Sequence, residues 1–286
     1  MPPLRRIDRE DDPDLLLYQS LRAHSRRRGD GRFLCEGAPV VERALRAGIT
    51  VESVLVIEKR LDRIQHHIPP QVSLLVIPDR WLDRVAGRGH QTGVYACGRH
   101  PGWQNEHGAV TTLMTLAGRP DPILLALPRV TTPRNLGAIL RVAAGLGVEG
   151  VLLGEQCTDP FHRQVVRASM GTLFTIPMVR STAYADDLEQ LAHDHDTLHI
   201  AVTTSEDALS LYDLDHHLPA TPNRPVCLIL GHESDGLDPA IESRCPLRLT
   251  LPMQRGVDSL NVATATAIFV HELMRRRHLS TNPSAK

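Results

Sequence analysis

From Pro122 onward, short apolar runs alternate with helical patterns, and this alternation leaves few folds open. The runs are 123–127, 148–153, 200–202, 226–230 and 247–251. Helical spacing covers 136–146, 161–169 and 183–193, and an alanine- and threonine-rich segment continues to about His278. Near-continuous apolar strands separated by helices predict a parallel sheet covered on both faces. Three stretches, 124–147, 227–242 and 247–278, share one grammar: an apolar strand, a loop of small or polar residues, then a helix. Open α/β sheets place their ligand crevices just past the carboxyl ends of the strands. The chain is therefore predicted to be organised around one such crevice.

Each loop carries residues able to do chemistry. In 133–141, Asn135 is placed to cap a helix and Gly137 allows another backbone to approach. Arg141 lies between apolar Leu140 and Val142. A cation there needs a carboxylate partner or a functional cleft, because burying it unpaired is costly. The loop Gly231-His232-Glu233-Ser234-Asp235-Gly236-Leu237 sets two glycines around a carboxylate. It is neither a G-x-G-x-x-G turn nor a phosphate loop, which removes the main support for dinucleotide oxidoreductases and nucleoside triphosphatases. A capping carboxylate at a helix start is the plain alternative for Glu233. The third strand ends at Pro252 and turns at Gly256, with Asp258 or Ser259 as natural N-cap residues. Arg167-Ala168-Ser169-Met170-Gly171 ends a helix at a glycine. Neither Ser169 nor Ser259 sits in a G-x-S-x-G elbow, and the fifteen histidines are scattered, as surface residues are.

The front of the chain reads differently. Residues 1–14 are charged and proline-containing, and are expected to be loose. A helix is expected over 15–23, followed by a glycine-rich basic loop with Arg26, Arg27, Arg28 and Arg32. Arginine forks in such a loop can grip phosphates; a solvated turn has the same composition. A helix over 40–47, strands over 51–57 and 72–77, a brief helix over 81–85 and a strand over 93–97 complete a small α/β/α unit with nothing catalytic in it. The Pro- and Gly-rich stretch 99–120 reads as a linker containing one short element near 110–116.

At 286 residues there is room for two domains. No apolar run approaches the roughly 20 residues that span a bilayer, and the first residues lack the apolar core of a secretory signal. Cys35, Cys97, Cys157, Cys227 and Cys245 form no C-x-x-C pair. They read as free thiols of a cytoplasmic protein, with no metal site. The first 100 residues carry 17 Lys and Arg against 13 Asp and Glu, the remainder 15 against 20. A basic front half suits a polyanionic partner, as well as an ordinary solvated surface.

Taken together, the three loops resemble the three motifs of the SpoU–TrmH family of RNA ribose 2′-O-methyltransferases, in the SPOUT superfamily. Asn135 to Arg141 matches N-x-G-x-x-x-R. The second motif is Gly231 to Leu237, and the third is Leu251-Pro252-Met253 followed by Ser259-Leu260-Asn261-Val262. Arg167 to Gly171 fits as an accessory. The resemblance covers about 121–278, and 15–98 is similar, more loosely, to the ribosomal-protein-like RNA-binding domain of larger members. It implies a C-terminal parallel-sheet α/β domain with a deep trefoil knot over 121–278, behind a small α/β/α RNA-binding domain over 15–98. Residues 1–14 would be a flexible start, 99–120 a linker and 279–286 a disordered tail. It also implies a homodimer, no membrane, and S-adenosylmethionine as cofactor against Leu230, Gly231, Gly236, Leu251, Met253 and Leu260. Arg141 would be the principal catalytic group, with Asn135, Glu233, Ser259 and Asn261 around it. RNA would meet Arg26, Arg27, Arg28, Arg32 and Arg167, and rRNA is favoured over tRNA. A non-catalytic RNA-binding or ribosome-assembly protein of the same fold is the rival class.

Overall fold

β-Branched and leucine-rich runs do become strands, and the computed structural model describes residues 2–23, 29–86, 92–102, 108–119, 121–217 and 224–281. The chain forms two compact units: Met1–Gly102 with Asp159–Thr175, and Trp103–Thr158 with Ile176–Lys286.

The first unit holds a five-stranded mixed sheet of β1 (Leu4–Arg6), β2 (Arg32–Glu36), β3 (Val51–Ile57), β4 (Ser73–Ile77) and β5 (Val94–Arg99), in the order β1-β4-β3-β5-β2. β1, β4 and β3 run parallel, and β5 is antiparallel to both β3 and β2. Its helices are α1 (Pro13–Ala23), α2 (Ala38–Arg46), α3 (Leu61–Ile64), α4 (Leu82–Ala86) and α7 (Arg163–Ala168). Leu15, Tyr18 and Leu21 of α1 pack on Leu34, Leu55, Leu75 and Trp81. The buried Tyr18 hydroxyl donates to Ser53 O at 2.9 Å and accepts from Cys97 N at 3.2 Å.

Residues 2–14 are not loose. β1 pairs with β4, Ile7 is buried, and Pro13 opens α1. The charges that suggested a solvated tail pair among themselves, Arg5 with Asp12 and Asp14, and Arg9 with Asp11. Arg26, Arg27 and Arg28 lie outside the described residues. Arg32 bonds Glu52 at 2.7 Å and Asp30 at 3.0 Å.

Residues 159–175, expected in the second domain, belong to the first unit. Phe161 meets Phe33 edge-on at 4.9 Å, and Phe174 lies 5.9 Å from the same ring. Arg163 donates twice to Glu36 Oε1, at 2.9 and 2.6 Å, and the Glu36 carboxylate is almost fully buried. Arg43 Nη1 bonds Met170 O at 2.5 Å.

The second unit is built on seven parallel strands: β6 (Ile123–Leu127), β7 (Gly150–Leu153), β8 (Met178–Arg180), β9 (Leu198–Val202), β10 (Leu209–Ser210), β11 (Val226–Leu230) and β12 (Leu247–Thr250). Their order is β10-β12-β9-β11-β6-β7-β8. Helices α5 (Ala109–Ala117), α6 (Pro133–Leu146), α8 (Tyr184–Asp194), α9 (Leu214–His217), α10 (Pro239–Glu242) and α11 (Val262–Thr281) accompany it. β11 and β6 are buried along their whole length, which is why both read as unbroken apolar runs. β8 and β10, of three and two residues, are too short to leave such a signal. The expected linker contains α5, whose Val110 and Leu113 are buried with Leu124, Leu152 and Val179. It belongs to the second unit.

The expected N-cap of the last helix also moves. Asp258 and Ser259 sit in an exposed loop in which Arg255 and Gly256 have φ of 59° and 71°. Asn261 is the cap, its Oδ1 accepting from Ala263 N at 3.0 Å. α11 then runs through Thr281, past the expected end near His278. The Arg275–Arg277 cluster serves carboxylates: Arg275 pairs with Glu272 and Asp215, Arg276 with Asp215, and Arg277 with Glu149. No helix among the described residues is long and apolar enough to cross a membrane.

Candidate active site

The strand order of the second unit reverses around β11, which lies between β6 and β9 although the chain reaches it after β9. Loops leaving the carboxyl ends of β6, β9, β11 and β12 therefore converge. The first, second and third motifs occupy three of those four loops.

α6 is capped by the backbone of Thr132 and opened by Pro133, with no side-chain cap. Asn135 is thus not the helix cap. Its side chain reaches the other two loops: Nδ2 donates to Glu233 Oε1 at 2.8 Å, and Oδ1 accepts from Asn261 Nδ2 at 3.0 Å. Glu233 is not a cap either, since Asp238 caps α10 by accepting from Ala240 N at 2.8 Å. Glu233 Oε2 lies 3.3 Å from His232 Nε2, which is 3.2 Å from Thr131 Oγ1. His232 Nδ1 lies 3.4 Å from Asp235, and Asp235 also pairs with Arg129. His232, a residue without a sequence signal, is the hub between Thr131 and the two carboxylates.

The loop after β11 has a shape only glycine permits. His232 N and O exchange hydrogen bonds with Gly236 O and N at 2.7 and 3.1 Å. A Cβ on Gly231 would lie 2.2 Å from Gly236 C and 2.3 Å from Leu237 N. Gly236 itself has φ of 71°, a left-handed conformation that costs other residues energy.

Beside this network lies a cavity of about 450 Å³. Leu230, Gly231, Gly236, Leu251, Met253 and Leu260 all line it, with Glu233 and Ser259. Larger hollows lie elsewhere on the unit, about 750 Å³ beside α8 and about 820 Å³ beside α11. The smaller one is the candidate site, because the strand-end loops and their polar groups converge on it. Asn135, Arg141 and Asn261 are not in its lining. Arg141 is exposed on α6, with no ion pair among the described residues. Arg167 is half-buried on α7 in the first unit.

Sequence reasoning missed one wall. Thr203, Thr204 and Ser205, just past β9, line the cavity with Glu242. Ser205 Oγ donates to Glu242 Oε1 at 3.2 Å and lies 3.1 Å from Thr203 Oγ1. The signal was available: these residues follow an apolar strand just as the other three loops do. Among the described residues no group of three or more His, Cys, Asp and Glu is arranged to hold a metal.

The SpoU rRNA Methylase family model matches residues 122–271, and a model of the MRM3-like substrate binding domain matches 17–96. An uncharacterized tRNA/rRNA methyltransferase of Mycobacterium tuberculosis is 31% identical over 278 residues, spanning 94% of this chain and 91% of the relative. The 23S rRNA (guanosine-2'-O-)-methyltransferase RlmB of Pseudomonas aeruginosa is 35% identical over 156 residues, covering 54% and 60% of the two chains. Among solved structures, one of an RNA 2'-O ribose methyltransferase superposes with a TM-score of 0.77 at 28% identity, covering 96% of this chain and all of the other. A family model over more than half of the sequence, and a relative this similar along nearly all of it, mean that the chain belongs to the SpoU rRNA methylase family.

Proposed function

We propose that this RNA methyltransferase moves a methyl group from S-adenosylmethionine to a ribose 2′-hydroxyl, and that its substrate is large-subunit rRNA. The observation that carries the reading is the Asn135 amide joining Glu233 to Asn261 beside the cavity. The likeness to the Pseudomonas 23S rRNA enzyme supports the 2′-hydroxyl and the rRNA.

The cavity suits the cofactor. Its volume of about 450 Å³ falls within the roughly 300–1,000 Å³ of small-ligand sites. The close approach of Gly231 to Gly236 leaves backbone N–H and C=O groups, rather than side chains, as much of the wall. Leu230, Gly231, Gly236, Leu251, Met253 and Leu260 would hold it, with apolar side chains and strand-end backbone groups for the adenine and methionine parts. When bound, S-adenosylmethionine supplies an electrophilic sulfonium methyl.

The chain's residues then have two tasks, placing a weakly acidic hydroxyl in line and stabilising the charge that develops as its proton leaves. Asn135, Glu233 and Asn261 fix the loops that define the approach, and such positioning contributes several kcal/mol. Arg141 is too basic to act as a proton acceptor. It clamps phosphate and stabilises the developing alkoxide, a contribution on the order of 10²–10⁴-fold. Ser259 is a polar neighbour on the same rim. Around this chemistry we also propose the deep trefoil knot of the superfamily, a homodimer, and RNA contact through the 26–32 loop and Arg167.

The test is transfer of labelled methyl from S-adenosylmethionine to total rRNA and, separately, to total tRNA, followed by nuclease digestion. A 2′-O-methylated nucleoside in the rRNA pool is the expected result. Label in tRNA alone reassigns the substrate, and label on a base overturns the reaction.

A further inference from the structure

The charge around the cavity is one-sided. Glu233, Asp235, Glu242 and Asp258 line it, and among the described residues no lysine or arginine does. Glu233 and Asp235 are engaged by the motif network. Glu242 lies outside all three motifs, on the short α10, with its side chain only 16% exposed. Ser205 donates to it at 3.2 Å. Its nearest cation, Arg248, stands off at 4.0 Å, with its guanidinium committed to Asp207 by bonds of 3.2 and 2.6 Å. Glu242 and Asp207 thus share one guanidinium, that of Arg248, and the three groups together keep a net negative charge beside the cavity.

We propose that Glu242, held by Ser205, makes the cavity prefer the positively charged form of its ligand and release the neutral form. The inference rests on the cofactor reading above. S-adenosylmethionine carries a sulfonium charge. On transfer the O–C bond would form as the C–S bond breaks, the C–S electron pair staying on sulfur and the hydroxyl proton passing to solvent, so S-adenosylhomocysteine would be left as a neutral thioether. The two ligands otherwise differ by one methyl group, so a nearby fixed charge separates them chiefly by Coulomb interaction. At an effective dielectric of about 20 to 40, a unit pair would be worth about five- to thirtyfold in relative affinity if the charges stood about 8 Å apart.

The experiment is calorimetric titration of the full chain with S-adenosylmethionine and with S-adenosylhomocysteine, at low and high salt, for the wild type, Glu242→Gln and Glu242→Asp. The wild type is expected to prefer the sulfonium ligand, and raising the salt is expected to shrink that preference. Glu242→Gln should lower the affinity ratio by about five- to thirtyfold, mainly by weakening the charged ligand, while Glu242→Asp keeps most of it. Equal weakening of both ligands by Glu242→Gln would make the residue structural and overturn the proposal. So would a wild-type ratio insensitive to salt, which can be read even if Glu242→Gln does not fold. Failure of the wild type to bind either ligand would instead overturn the cofactor reading itself.

Discussion

Asn135 and Glu233, 98 residues apart in the chain, share a hydrogen bond of 2.8 Å in which the amide nitrogen donates to the carboxylate. The same amide's oxygen accepts from Asn261, so one side chain fixes three loops. Asn135→Asp keeps the size but sets a carboxylate against a carboxylate. The loops should separate, and methyl transfer should fall by about 100-fold, the cost of an ångström-scale misplacement. Cofactor affinity should change by less than about threefold, since Asn135 is not in the cavity lining. Single-turnover transfer together with titration calorimetry separates the two effects.

Arg141 makes a cleaner test of chemistry, because it is exposed and without an ion pair among the described residues. Arg141→Ala should leave stability within about 0.5 kcal/mol, as surface substitutions do, and cofactor affinity nearly intact. Transfer should drop by about 10²–10⁴-fold. Arg141→Lys should recover little of it, since an ammonium lacks the fork that clamps phosphate. Loss of cofactor binding in Arg141→Ala would show the side chain to be structural.

Gly231 and Gly236 sit in one loop but should respond differently to alanine. At Gly231 the new methyl would fall 2.2–2.3 Å from the backbone of Gly236 and Leu237, which cannot move aside as a side-chain tip can. We expect a loss of about 3 kcal/mol or more and no cofactor binding. At Gly236 nothing lies within 4 Å of the added methyl, and only the positive φ is strained, a cost of about 1–2 kcal/mol. Denaturant melts of the two variants would show the difference.

His199 gives the stability a pH dependence of known sign. Burial holds its pKa below the ordinary 6.5, and its Nε2 has no hydrogen-bond partner. Below about pH 6.5 the unfolded chain takes up a proton that the folded chain refuses, so the unfolded state binds more protons and stability falls with pH. The slope is at most about 1.4 kcal/mol per pH unit. His199→Leu removes the group, so its melting temperature should fall less than that of the wild type between pH 7.5 and 5.5. Parallel curves would refute the assignment.

The buried centre of the second unit was legible because β6 and β11 must be apolar on both faces. The motif loops were legible because they sit at the ends of such strands. What stayed hidden has physical reasons. β1 is three exposed residues whose pairing with β4 depends on a strand some seventy positions away. Asn135, read as a cap, is drawn off by partners on two distant loops, information that local spacing does not contain. The Thr203–Ser205 wall and Glu242 have no shared motif and become neighbours only when β9 and β12 pair.

The pairing of Arg163 with the buried Glu36, and the two phenylalanines laid on Phe33, have a consequence for how such chains can be recombined. The front unit is completed by a piece of the chain that follows it by more than fifty residues. Cutting after Gly102 would strip Phe33 of its cover and strand an acidic group in an apolar interior. A front module exchanged between relatives would therefore have to travel with its own matching 159–175 segment. Substitutions at either place should be tolerated only with a matching change at the other, although the gene keeps the two apart.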